Sequence, residues 1–255
     1  MENINIFNNI ITILSFVVNL AFIIPFALKI YNYFTKKTYI KKVLGYKKDS
    51  VQISNSTFTL KAQTGLTNTF IKYSAVQATN NIINLFNIIE QSFYLVEDIK
   101  DAKNEMNIGG FLGNNKVNAY FVKYFEGFKF VTHIEYKTAY DNFPIDQRVI
   151  EYSSDKVGFK IDNDTFWETD KIDYGFLIKL INSDFKDDYE KTVHIVFGGS
   201  DIGTLKATEY LLTHYKQIYK KFGNNHYFFA IQINCIDNSI DYSKGIIDLT
   251  EKMFK

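Results

Sequence analysis

The hydrophobic pattern opens on an unbroken apolar run. From Asn3 to Leu28 no residue is charged, and the stretch ITILSFVVNLAFIIPFAL, Ile11 to Leu28, is long enough as a helix to cross a hydrocarbon layer of about 30 Å. Lys29, Lys36, Lys37, Lys41, Lys42, Lys47 and Lys48 follow it, while only Glu2 precedes it. The positive-inside rule then predicts a single-pass anchor over 1–34 in the cell (inner) membrane, with the lysine-rich side in the cytosol. Tyr31, Tyr33 and Phe34 stand where interfacial aromatics are expected. A secretory signal peptide carries its basic residues on the other flank. Asn8, Asn9 and Asn19 inside the run predict a partner helix, because an amide in lipid seeks a hydrogen bond. The expectation is a homo-oligomer formed through the anchor.

Beyond a basic connector, 35–50, the period changes repeatedly. VQIS (Val51 to Ser54) predicts a short strand, and the Ser, Thr and Asn residues after it a loop. Ala75, Ala78, Ile82, Ile83, Phe86 and Ile89 have helical spacing behind Ser74 as N-cap. FYLVE, Phe93 to Glu97, predicts a buried strand. A further apolar approach then ends at Gly109-Gly110, before a helix from about Lys116. Alternation over THIEY, RVIEY and KVGFKID predicts a small β insertion at about 130–169. Asp173 to Ile181 and Lys191 to Phe197 predict strands, with an acidic loop, SDFKDDYEK, between them. A helix from about Thr204 to Gly223, a last strand from His226 to Ile236, and a helical tail at GIIDLTEKMF complete the domain, 51–255. Strands alternating with helices predict an α/β sandwich with a mostly parallel sheet.

Charge and cysteine content narrow the function. Lys and Arg number 29 against 28 Asp and Glu, so no global basic field invites DNA or RNA. One cysteine, Cys235, and four histidines assemble no metal site by spacing.

The candidate chemistry lies in two glycine turns. VHIVFGGSDIGTLKATEYLL, Val193 to Leu212, brings an apolar strand into Gly198, Gly199, Ser200, Asp201, Gly203 and Thr204 at the start of a helix. Bare amides and a helix N-terminus suit a phosphate, Ser200 and Thr204 can add hydroxyl contacts, and Asp201 can take a ribose hydroxyl. Gly109, Gly110, Asn114 and Asn115 offer a neutral polar lining suited to a base edge or ribose. Both turns fall at the carboxyl ends of predicted strands, where open α/β sheets bind ligands. The same glycines also serve tight strand-to-helix packing, with Asp201 as a dipole partner and Thr204 as an N-cap.

The residues Gly198-Gly199 and Gly203-Thr204 resemble the GG-x-GT signature of the LOG and SLOG-type Rossmann-like families. In those families the turn opens a helix and binds a nucleotide phosphate. The resemblance implies a Rossmann-like three-layer sandwich, here with a β insertion and one transmembrane helix in front. It also implies a nucleotide or nucleotide-derived ligand. The turn is two residues longer here, and the family's glutamate position, three after the threonine, is Ala207, with Glu209 two further on. The family includes nucleotide hydrolases and also sensor modules that bacterial defence systems pair with membrane effectors. The leading expectation is therefore a membrane-anchored nucleotide sensor. A nucleotide or NAD hydrolase using Glu97, Asp201 or Glu209 as acid–base residue stands beside it, as does a non-catalytic scaffold. His194 in its apolar strand reads as a core imidazole and His214 as a surface residue. Asp173, Tyr174, Asp98 and Trp167 stay open between architecture and ligand contact.

Overall fold

The structure, a computed structural model, describes residues 2–55, 58–61, 67–70, 73–96, 99, 102–110, 114–137, 149–181 and 191–253. For 2–20, 58–61, 67–70, 115 and 136 it describes the backbone alone. The predicted acidic loop, Glu97 and Asp98 lie outside the described residues, and so does the side chain of Asn115.

The N-terminal run is one continuous helix, α1 (Glu2–Leu44), 43 residues long. Anchor and connector are thus a single rod rather than a helix followed by a linker. Its last turn enters the body of the protein: Ile40, Val43 and Leu44 are each 1% exposed. Gly45, at φ +65°, ends it and donates its N–H to the carbonyl of Lys41 at 2.8 Å. The stretch 21–34 is exposed on every side. Among the described residues no helix is long and apolar enough to cross a membrane. Lys29, Asn32 and Lys36 interrupt the apolar character there, and the first part of the run Ile11–Leu28, up to residue 20, has its side chains outside the described set.

The body is α/β. Its elements in chain order are β1 (Val51–Asn55), the hairpin β2 (Phe58–Lys61) and β3 (Thr67–Phe70), α2 (Tyr73–Ile89), β4 (Phe93–Val96), β5 (Asn104–Ile108) and α3 (Asn115–Tyr124). Then come β6 (Phe128–His133), β7 (Ile150–Ser153), β8 (Gly158–Ile161), β9 (Asp164–Trp167), β10 (Ile172–Leu180) and β11 (Thr192–Gly198). The chain closes with α4 (Asp201–Thr213), α5 (Tyr215–Phe222), β12 (Tyr227–Asn234), β13 (Ser239–Ile240) and β14 (Ile247–Asp248).

The main sheet runs β13-β12-β10-β11-β5-β1-β4, with β14 beside β12. Only β11, β5, β1 and β4 form a parallel block; β10 is antiparallel to both β11 and β12. The sheet is therefore mixed, not mostly parallel. The reason lies in the strands β6 to β9, a second sheet ordered β7-β6-β8-β9. They return the chain to the carboxyl end of the parallel block, so β10 enters from that end and runs backward.

Helices α2, α4 and α5 and the end of α1 cover one face of the main sheet, where Val51, Ile53, Met106, Val196, Phe229 and Ile231 are buried. On the other face α3 and the second sheet pack around Phe121, Phe128, Phe159, Phe176 and Phe197. Phe176 and Phe197, cross-strand partners, stack at 4.8 Å. The third layer is thus half helix and half sheet. Central strands β5 and β11 are buried on both faces, which fits the apolar end of β11, whereas β5 buries the polar Asn104, Glu105 and Asn107 as well. β4 differs from expectation: Tyr94 and Leu95 are exposed because the strand lies at the sheet's edge. The C-terminal segment expected as a helix instead adds β14 and one 3-10 turn, Thr250–Lys252.

Candidate functional site

The two glycine turns come together. β5 and β11 are parallel neighbours, and Gly109, at φ +98°, donates its N–H to the carbonyl of Val196 at 2.8 Å. Both turns thus leave the same end of the sheet, beside the start of the antiparallel β10.

Helix α4 begins earlier than its pattern predicts. Ser200 is the N-cap, its Oγ accepting from the N–H groups of Ile202 at 3.1 Å and Gly203 at 3.4 Å. Gly203 and Thr204 therefore lie inside the first helical turn, and Thr204 is buried, donating to the Ser200 carbonyl at 3.3 Å. Thr204 is neither the N-cap nor a free ligand contact. A Cβ at Gly203 would approach the carbonyl of Tyr174 at 2.5 Å and Asp173 Oδ2 at 2.8 Å, so glycine here lets the helix start sit directly on β10. The third glycine of this turn is spent on packing.

The anion position at this helix start is filled from within. Asp173 is 3% exposed. It accepts from Ser200 Oγ at 2.5 Å and from the Tyr174 N–H at 2.6 Å, and the backbone amides of Ser200 and Gly203 face it as well. A carboxylate in contact with a helix N-terminus is the charge a phosphate would otherwise supply. The turn Gly198-Gly199-Ser200 is consequently occupied by the protein's own side chain.

A second carboxyl stands beside it. Glu168, between β9 and β10, keeps one buried carboxyl oxygen, Oε1, without a hydrogen-bond partner. A Cβ at Gly199 would overlap this carboxyl and lie 2.7 Å from Asp173 Oδ1, so both acids crowd the space that glycine leaves open. Burial, aided by the charge of Asp173, pushes Glu168 up to about 7. Burial also raises Asp173, while hydrogen bonds from Ser200, Tyr174 and Gly203 pull it back toward its ordinary range. Burial thus raises both neighbouring carboxyls, Glu168 to about 7, while Asp173 alone carries hydrogen bonds that oppose the rise and favour its anion. Cys235, whose N–H bonds the Lys171 carbonyl at 3.0 Å, has its thiol raised by burial and by the charges of Asp173 and Glu168.

The second turn is built differently. Asn114 is buried and caps α3, accepting from the N–H groups of Lys116 at 3.1 Å and Val117 at 3.2 Å. Its amide donates to Ser54 Oγ at 2.8 Å, and Ser54 donates to Asn107 Oδ1 at 2.9 Å. Asn114 is therefore fully engaged inward and does not line a ligand face. Around Gly110 a Cβ would meet no atom of the described residues within 4 Å, and 111–113, which continue the turn, lie outside them.

The remaining sequence candidates separate. Asp201 opens α4 as its first-turn acid. Glu209 pairs with Lys206 at 2.7 Å on the outer side of α4 and stands apart from the acid pair. Trp167 ends β9 with the Lys156 ammonium over its ring at 5.2 Å, an anchoring role in the second sheet. His194 is a core residue, 1% exposed. His214 breaks the expected long helix in two, stacking on Tyr210 at 4.4 Å as its backbone leaves helical geometry. Among the described residues no group of His, Cys, Asp and Glu could hold a metal ion.

Sequence reasoning left Asp173 open and passed over Glu168. No motif spacing marks Glu168, which precedes the glycine turn by a whole hairpin. The signal for Asp173 was a charged residue at the mouth of an otherwise apolar strand. In comparisons with protein-family models, with curated proteins and with solved structures, the chain matches none.

Proposed function

We propose that this protein is a membrane-tethered α/β module that binds a nucleotide-derived ligand at the carboxyl ends of β5 and β11 and passes occupancy to α1. The observation that carries this reading is the continuity of α1. Its exposed stretch holds Phe22, Ile23, Ile24, Phe26, Leu28 and Ile30 with no cover on any side, and its last turn is built into the sheet that carries the candidate site. Apolar surface of that extent is stabilised by lipid or by a second copy of the helix. Taking the apolar run to end at Leu28, about 18 Å of rod separates the lipid from Ile40, where the helix enters the body, at 1.5 Å per residue.

Asp173 changes the part of the ligand that the glycine turn suits. A fixed carboxylate at the helix start repels a phosphate and accepts hydrogen bonds from sugar hydroxyls, as acidic residues do at ribose in dinucleotide folds. The ligand's sugar therefore belongs at Gly198 to Ser200, and its base or phosphate beside Gly110. Isothermal titration of the full-length protein in detergent against mono-, di- and cyclic nucleotides and NAD tests this. Binding that Asp173→Asn weakens at least tenfold is expected; absence of binding below millimolar concentration with every ligand sinks the proposal.

The Glu168 oxygen without a partner favours a second reading. A carboxyl half-protonated near pH 7, next to a fixed carboxylate, suits acid–base cleavage of an N-glycosidic bond: Glu168 protonates the departing base and Asp173 stabilises positive charge on the sugar. Chromatography of nucleotides incubated with wild type and Glu168→Gln separates the readings. Base release that the variant loses identifies an enzyme, whereas binding without release in both proteins identifies a sensor.

A further inference from the structure

At the opposite end of the same strands lies a second buried charge, one that the proposed site does not use. Lys179 on β10 is 1% exposed, and its register partners are His194 on β11 and Tyr227 on β12. The three side chains form a row across adjacent strands beneath the end of α1. Lys179 Nζ donates to the carbonyl of Val43 at 2.9 Å, in the last turn of α1, and to that of Asn224 at 3.2 Å. Gly45, where the chain leaves the helix, passes so close that a Cβ would lie 2.8 Å from the same nitrogen. An ammonium buried against two carbonyls, with no carboxylate paired to it among the described residues, is a costly arrangement that the closed position of α1 helps to impose.

The surrounding groups keep constant charge. His194 has neither ring nitrogen hydrogen-bonded, and burial together with the Lys179 charge holds it well below the ordinary histidine value, hence neutral. Tyr227, its hydroxyl also without a partner, and Tyr46, which packs on His194 at 5.0 Å and donates to the Glu105 carbonyl at 2.8 Å, are both raised by burial. Glu105, near Tyr46, pairs with Lys191 at 2.5 Å.

We propose that the seat of α1 is proton-linked through Lys179: lifting the last turn of the helix off the sheet exposes the ammonium to water, so helix docking and the charge of Lys179 form one equilibrium. Burial lowers Lys179 to about 8 in the closed seat, and exposure returns it to the ordinary lysine value, 10.5. The open seat therefore binds the proton more tightly. Below pH 8 both states carry it and docking is independent of pH. Between about 8 and 10.5 docking tightens as pH rises, because opening must take up a proton.

Hydrogen exchange on the full-length protein, corrected for intrinsic rates, reads this at the amides of residues 43–46 between pH 6.5 and 9.5. The protection factor is expected to be flat below pH 8 and then to climb, approaching about tenfold per pH unit, while amides of β12 such as Phe229 and Ile231 show no such rise. Lys179→Met, which removes the proton, should abolish the climb. A climb that persists in Lys179→Met, a flat profile in wild type, or an equal climb in β12 overturns the proposal. The wild-type profile with its internal β12 reference decides the matter even if the variant does not fold.

Discussion

Strand β10 carries a buried charge at each end, and the two ends treat it in opposite ways. At one end the Asp173 carboxylate meets the N-terminus of α4; at the other, about 20 Å away along six residues of extended chain, the Lys179 ammonium meets the C-terminal carbonyls of α1. Each charge sits where a helix end has the complementary sign. The anionic end has a second acid, Glu168, with an oxygen left over, and chemistry or ligand contact belongs there. The cationic end is closed by a helix that leads away from the body, and coupling belongs there. A buried charge at a helix terminus is by itself ambiguous; a second acid beside it at one end, and a helix closed over it at the other, separate a site from a joint.

Substitutions at the acid end can break this contrast. The largest loss is expected for Gly199→Val, whose side chain would occupy the space of both carboxyls. Chemical denaturation should show a loss of about 3 kcal/mol, and a near-neutral result would mean that the acids do not converge on the turn. Glu168→Gln works in the other direction and depends on pH. The raised folded-state value means that the native protein holds the Glu168 proton up to about 7, so ionisation costs stability as pH rises through the interval from 4.5 to 7. The variant, free of that cost, should match wild type below pH 4.5 and exceed it by about 3 kcal/mol above pH 7. Parallel stability curves for the two proteins from pH 4 to 8 would remove the acid pair from the comparison. Smaller is the effect of Ser200→Ala, which deletes the cap of α4 and one hydrogen bond to Asp173. About 1 kcal/mol should be lost in thermal unfolding, with the pH profile of Glu168 retained.

Much of the fold is legible from local pattern. Strands β11 and β12 announce themselves by their apolar runs, α2 by its three-and-four spacing, and α3 by the polar residues before it. The elements that diverge are those whose state depends on neighbours. Phe93 to Val96 reads as buried but lies at an edge; GIIDLTEKMF reads as a helix but finds β12 to pair with. The helix after the glycine turn starts at Asp201 because Ser200 caps it, a choice of hydrogen-bond partner that spacing does not reveal.

The candidate site was half visible. The glycine turns and their shared sheet end follow from strand-helix order, yet the phosphate cradle read from Gly198 to Thr204 assumed that the helix start faces solvent. Asp173 enters that space from β10, which runs antiparallel because the second sheet turns the chain around. Lys179 had a sequence signal, a lone charge inside GFLIKLI, but nothing local says that the carbonyl it meets belongs to Val43, 136 positions earlier.

By itself, then, the sequence determined the N-terminal helix, the alternation of strands and helices, and the places where bare backbone meets a helix start, because each of these is written in neighbouring residues. Only the tertiary structure decided that the helix start is filled by a carboxylate, that Glu168 stands beside it, and that a lysine seats α1. Burial and the pairing of distant charges depend on which strands lie side by side, and that order is a property of the whole chain.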